Sequence, residues 1–188
     1  APPQSHPEAQ GSKCILLADD DSVIREVLSR ILRAEGFEVV LACNGYLGRL
    51  EPRIAGRIMP INNFILATEP LSAAQQQQLN PHDLCMFDAK FVVNYWRLTG
   101  DGRMLFGGGE NYTRRFPADI KSFVRKYLLE LYPQMAAARI DYGWGGTLAV
   151  TMNRMPCFGR LDPDVFYALG YSGHGVQIAT LAGKLIAE

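Results

Sequence analysis

The stretch "GFEVVLACNGYLGRL", Gly36 to Leu50, decides how this chain is read. Phe37 to Cys43 is a short run dense in apolar and β-branched residues, which predicts a strand, and Asn44–Gly45 closes it in a tight turn. Working outward to the left, Val23, Ile24, Val27, Leu28, Ile31 and Leu32 recur at one-and-four spacing, so "SVIREVLSRILRAEG" predicts a helix with one apolar stripe. Gly36 is placed to end that helix in a left-handed cap. Before it, "KCILLA" is a short apolar strand running into Asp19, Asp20 and Asp21. Strand, helix and strand at this spacing make a parallel βαβ unit with a right-handed crossover.

To the right the texture changes. "YLGRLEPRIAGRIMPINN" is irregular, and "FILATEPL" is a strand running into a proline turn. "FVVNYWRLTGDGRMLFGGGE" predicts a hairpin turning at "GDG", with Gly107 to Gly109 as a glycine turn at the strand's end. In "PADIKSFVRKYLLELYP" a helix is expected. Pro117 suits its first turn, Pro133 ends it, and Ile120, Phe123, Val124, Tyr127, Leu128 and Leu131 form its inner face. "IDYGWGGTLAVT" and "VFYALGY" predict two further strands. The last helix starts in "SGHG" and carries Val176, Ala179, Gly183 and Ile186 along its length.

Composition narrows the function. The 188 residues hold 19 basic and 19 acidic side chains, so nothing marks an electrostatic surface for nucleic acid or anionic membrane. No apolar run approaches the roughly 20 residues of a membrane span. The first 12 residues, rich in Pro, Gln and Ser, read as a flexible leader without the features of a secretory signal, so a cytoplasmic location is expected. Four cysteines without a CxxC pair and three histidines give neither zinc-ligand spacing nor a disulfide framework.

Two resemblances follow from these motifs. "ILLADDDSVIREVLSRILRAEGFEVVLACNG" resembles the opening of response-regulator receiver domains. In such a domain a carboxylate pair at a strand end holds Mg²⁺, and on that resemblance Asp19 and Asp20 would be the metal-binding acids. The receiver's phosphoacceptor aspartate has no counterpart around Phe64 to Glu69.

From Val39 to Glu188, "VVLACNGYLG", "ATEPL", "YWRLTGDGRMLFGG", "YGWGGTLAVTMNRMPCFGRL" and "GYSGHGV" fall in the order of the D-amino-acid-oxidase-like (DAO) family of FAD-dependent oxidoreductases. Its gamma-glutamylputrescine-oxidoreductase-like members are the most similar in pattern. This resemblance implies FAD as cofactor, a small amine or amino acid as substrate, and hydride transfer from a C–H beside nitrogen to the flavin. It implies flavin contacts at Gly45, Gly146, Gly173, His174, Gly175, Val176 and Gln177, chiefly through glycine-opened backbone and the start of the last helix. Catalytic side chains stay unassigned, because such chemistry rests on orientation and flavin tuning. Where amino-acid oxidases of the family carry the arginine of "WxGxRP", this chain has Leu148, which favours an amine; Arg154 is an alternative carboxylate anchor.

The expected fold is therefore mixed α+β and α/β, a short parallel βαβ unit followed by a mainly antiparallel substrate-domain sheet with flanking helices. Residues 1–12 are the leader, 13–45 the receiver-like segment and 39–188 the C-terminal part of an oxidoreductase, with the seam at Val39 to Gly45. The chain contains no GxGxxG, and "ADDDSV" would repel a pyrophosphate rather than cradle it. Three functions are open at this point: an incomplete FAD-dependent oxidoreductase, a receiver-like signalling fragment, or a structural fragment completed by a partner chain or a second copy.

Overall fold

The computed structural model describes residues 14–17, 22–113 and 115–187. They form two compact units, one made of the residues up to Met59 together with those from Ala149 onward, the other of Pro60–Leu148.

The first unit is built on a sheet of order β1-β2-β9-β8. Strand β1 (Cys14–Leu17) leads through helix α1 (Ser22–Ala34) to β2 (Glu38–Leu41), and β1 and β2 pair in parallel as the sequence predicts. Gly36, at φ 78°, closes the helix: its N–H donates to the Arg33 carbonyl and the Phe37 N–H donates to that of Leu32. After a short helix α2 (Pro52–Ala55), the unit is completed by chain from much later in the sequence. Strand β9 (Val165–Leu169) lies parallel to β2, and β8 (Cys157–Asp162) pairs antiparallel to β9. Val39, Leu41, Leu47, Ile54, Val165 and Leu169 are buried together as the core of this unit. Arg33 at the end of α1 reaches Asp164 at 3.1 Å, while Arg53 bridges Glu51 at 2.9 Å and Asp162 at 3.2 Å. The βαβ segment is thus bonded into the same unit as the late strands.

Two helical expectations change. The apolar stripe of α1 does not form a buried face: Leu32 packs on the core, but Val23, Ile24, Val27, Leu28 and Ile31 are exposed. In the final helix α5 (Gly175–Ala187), Val176 is 97% exposed and Ala179 and Gly183 face outward. Ile178, Ala182 and Ile186, four residues apart, make the inward line instead. What pairs with the βαβ strands is β9, in parallel register along β2.

The second unit is a sheet of order β4-β5-β6-β3-β7. Strand β3 (Ile58–Pro70) is far longer than predicted, taking in Ile58 to Asn63, which the Gly, Pro and Arg texture had suggested were irregular. Helix α3 (Ala73–Leu79) contains the glutamine run and opens on a capping box, with the Gln75 N–H donating to Ser72 Oγ and the Ser72 N–H to Gln75 Oε1. Strands β4 (Met86–Phe87), β5 (Tyr95–Leu98) and β6 (Arg103–Asn111) follow, with the predicted hairpin at "GDG". Helix α4 (Ile120–Leu131) takes Asp119 as its N-cap, so Pro117 precedes the helix rather than sitting in its first turn. Its predicted inner face packs with Phe64, Leu66, Met104 and Phe106 into a second core. Strand β7 (Ile140–Thr151) borders β3.

The glycine run Gly107–Gly109 is another correction. It lies inside β6, not at a strand-end turn. Between the pairs Asn63↔Glu110 and Ile65↔Gly107, β3 has one residue and β6 has two, which is a β-bulge with Gly109 at φ 76°.

Candidate flavin-binding edge and aromatic sheet face

In the first unit, β1, β2 and β9 are parallel, and the chain leaves their C-terminal ends at one edge of the sheet, where open α/β sheets bind ligands. From β2 it enters the turn Asn44–Tyr46, with Asn44 at φ 45°. From β9 it enters "GYSGHG", where Gly170, Ser172 and Gly173 have φ of 71°, 52° and 94°. The two turns are tied together: the Gly170 N–H donates to Asn44 Oδ1 at 3.3 Å.

A serine at positive φ is strained by roughly 1–2 kcal/mol, and its surroundings hold it there. Ser172 is buried, its N–H donates to the Ala149 carbonyl, and its Oγ accepts from the Thr151 N–H at 3.1 Å. Gly170 has no room for a side chain, since a Cβ there would lie 2.8 Å from Thr151 Cγ2 and 2.9 Å from Ile58 Cδ1. Gly173 is the opposite case, with nothing within 4 Å of where its Cβ would stand. The His174 N–H donates to the Tyr171 carbonyl, and the His174 carbonyl accepts from Ile178 to begin α5. Burial raises the Tyr171 phenol above its usual range. The first N–H groups of α5, on Gly175, Val176 and Gln177, have no earlier helical carbonyl to donate to. They form the positive end of the helix dipole beside the space above Gly173.

Of the residues singled out from sequence, Gly45 and the run Gly173–Gln177 lie at this one edge, His174 and Gln177 both exposed. Asp19 and Asp20 lie outside the described residues. Among the described residues no group of three His, Cys, Asp or Glu side chains is placed to hold a metal ion. Ser172 and Thr151, which fix the turn, were missed; backbone strain of this kind has no composition signal.

Gly146 belongs to the second unit. There α4 covers one face of the sheet, and a Cβ on Gly143 or Gly145 would strike Lys121 or Phe64 on that side. The intervening Tyr142 and Trp144 point to the other face and are exposed, and Gly146 follows them with nothing within 4 Å of a Cβ. On the same face Ile65, Gly107 and Tyr95 are aligned across three strands. The Tyr95 ring covers the bare Cα of Gly107, and its hydroxyl donates to Asn63 Oδ1 at 2.9 Å. Burial raises the Tyr95 phenol. Tyr95 and Asn63 were also missed, because the bulge that aligns them is invisible in the residue pattern.

A family model described as FAD dependent oxidoreductase (DAO) matches residues 11–188. The chain belongs to the DAO family of FAD-dependent oxidoreductases. The DAO match takes in residues 13–45, the segment that resembles a receiver opening. Gamma-glutamylputrescine oxidoreductase of Escherichia coli (strain K12) is 45% identical over 151 residues, covering 80% of this chain and 35% of that protein. Probable oxidoreductase OrdL of Rhizobium meliloti (strain 1021) is 42% identical over 167 residues, covering 89% of this chain and 38% of that one. The chain thus spans little more than a third of these DAO-family relatives. Among solved structures, L-proline dehydrogenase from P. horikoshii has a TM-score of 0.61 at 26% identity, covering 80% of this chain and 41% of that chain. Glycine oxidase from Geobacillus kaustophilus shares the fold, with a TM-score of 0.62 at 21% identity over 80% of this chain and 40% of its own. The mixed fold expected from sequence, with parallel βαβ strands and antiparallel pairing beyond them, is the observed one.

Proposed function

We propose that this chain is the C-terminal, substrate-side part of an FAD-dependent oxidoreductase that oxidises the C–N bond of a small amine. The observation that carries the reading is the start of α5. Gly173 holds a positive φ, leaves open space in place of a side chain, and stands where the N–H groups of Gly175, Val176 and Gln177 are free of helical partners. That donor set fits the electron-rich edge of a flavin ring, stabilising negative charge through backbone alone. Gly45, tied in through the Asn44–Gly170 bond, would border the same group.

FAD, when bound, supplies the acceptor for the hydride equivalent. The protein's own part is binding and orientation. The exposed rings of Tyr95 and Trp144 suit an amine substrate, which aromatic rings attract as a cation and pack as an alkyl chain. Leu148, within β7, offers no bidentate grip on a carboxylate, which supports an amine over a simple amino acid.

Titration of the purified protein with FAD, followed by desalting and a visible spectrum, tests the proposal. Retained flavin absorbance that is lost in Gly173→Ala supports it; equal retention by both proteins counts against the α5 site. A second reading is favoured by the lack of any GxGxxG in these 188 residues. In it, the dinucleotide is gripped by a polypeptide that supplies that loop, and this chain contributes the ring-side and substrate-side surfaces. Flavin retention only after addition of such a polypeptide separates the two.

A further inference from the structure

The second unit holds a cavity of about 320 Å³ lined by Lys90, Val92, Asn94, Glu110, Tyr112 and Tyr127. It lies between α4, which supplies Tyr127, the end of β6 and the segment leading into β5, and none of its residues belongs to the aromatic face described above. We propose that it is a second small-ligand site, selective for a zwitterionic amino acid.

The recognition groups come in a complementary set. Asn94 is 1% exposed, and its orientation is fixed by Asp88. Asp88 Oδ2 accepts from Asn94 Nδ2 at 2.7 Å and Asp88 Oδ1 from the Asn94 N–H at 2.9 Å. An ionised carboxylate can only accept, so the amide nitrogen must face Asp88 and Oδ1 is turned the other way, toward β6. There it receives no hydrogen bond among the described residues. A buried acceptor in that state is one that a ligand donor can satisfy. Gly108 leaves room for that oxygen: a Cβ at that position would lie 2.5 Å from Asn94 Oδ1.

Two opposite charges complete the set. Glu110 uses one carboxylate oxygen to accept from the Tyr112 hydroxyl at 2.8 Å, leaving the other for an ammonium group. Lys90 holds Glu130 at 3.0 Å, but both side chains are about half exposed, and such a pair is worth little and exchanges readily. The Lys90 ammonium is therefore available to a ligand carboxylate. Tyr127, Tyr112 and Val92 supply apolar walls between the two charges, and the volume suits a linear amino acid of a few carbons. A lone amine would meet Lys90 as a like charge, and a lone carboxylate would meet Glu110; a zwitterion satisfies both.

Calorimetric titration of the full chain with 4-aminobutanoate, butylamine and butanoate tests the assignment. One saturable site for 4-aminobutanoate is expected, with the two single-charge probes at least about ten-fold weaker. Lys90→Met and Glu110→Gln should each weaken 4-aminobutanoate by about ten-fold or more while the far-ultraviolet circular dichroism stays unchanged. Gly173→Ala should leave this binding intact, which separates it from the proposed flavin edge. The proposal is overturned by absence of saturable binding at tens of millimolar, by equal binding of all three probes, or by unchanged affinity in both charge variants.

Discussion

Two glycine-rich stretches of this protein look alike in sequence and serve opposite ends. In "FGGGE" each missing side chain is replaced by a neighbour. The Tyr95 ring sits over Gly107, Asn94 Oδ1 over Gly108, and Tyr127 and Phe123 over Gly109. In "GYSGHG" only Gly170 is packed in that way, while Gly173 opens onto space beside the α5 N–H groups. In the first run the protein itself fills the volume; in the second, Gly173 leaves space that the proposed flavin edge would use. Substitution of each separates the two uses.

The largest stability loss is expected for Gly109→Ala. It combines the left-handed backbone at φ 76° with contacts of 2.6 and 2.7 Å to rings of the α4 face. The cost should be about 2–4 kcal/mol, read as a drop in the denaturant midpoint. Gly170→Ala follows at about 2–3 kcal/mol, because Thr151, Ile58 and Cys157 all lie within 3.0 Å of the new Cβ. Ser72→Ala, which breaks the capping box of α3, should cost about 1 kcal/mol and serves as an ordinary-sized reference. Gly173→Ala should come out near that reference, at about 1 kcal/mol for backbone alone, yet should abolish flavin retention. A large stability loss at Gly173 with flavin binding intact would erase the contrast.

A smaller effect concerns acid. The Arg103 guanidinium, bonded to Asp141, holds that carboxyl below its ordinary range. Asp162 is lowered in the same direction by Arg53. A depressed folded-state pKa contributes stability that is fully present above the unfolded value, near about 3.9 for aspartate. That stability is lost as pH falls through the folded value. Stability should therefore be level through neutral pH and decline below about pH 4, and Asp141→Asn should flatten that decline. An unchanged acid slope in the variant would show that the pair contributes nothing measurable.

The sequence was enough for the parts governed by local periodicity. The βαβ start, the "GDG" hairpin and the inward face of α4 read directly from spacing, because burial there follows the residue's own helix or strand repeat. The landmarks from "LACNG" to "GYSGHGV" also placed the family, and the glycines at the start of α5 are where they were expected. What spacing could not supply was set by pairing between distant segments. Strand β3 runs through Pro60 and two asparagines because β6 pairs with it on both sides of a bulge. The α1 stripe fits a buried helix, yet five of its apolar residues are exposed, since a residue pattern shows that a face is apolar and not what covers it. The turn before α5 is held by Ser172 against Ala149 and Thr151, more than 20 residues away in sequence, and no local rule announces a serine at positive φ. Sequence alone determined where the backbone carries no side chain. Tertiary structure decided which of those glycines are filled by the protein itself and which are left open.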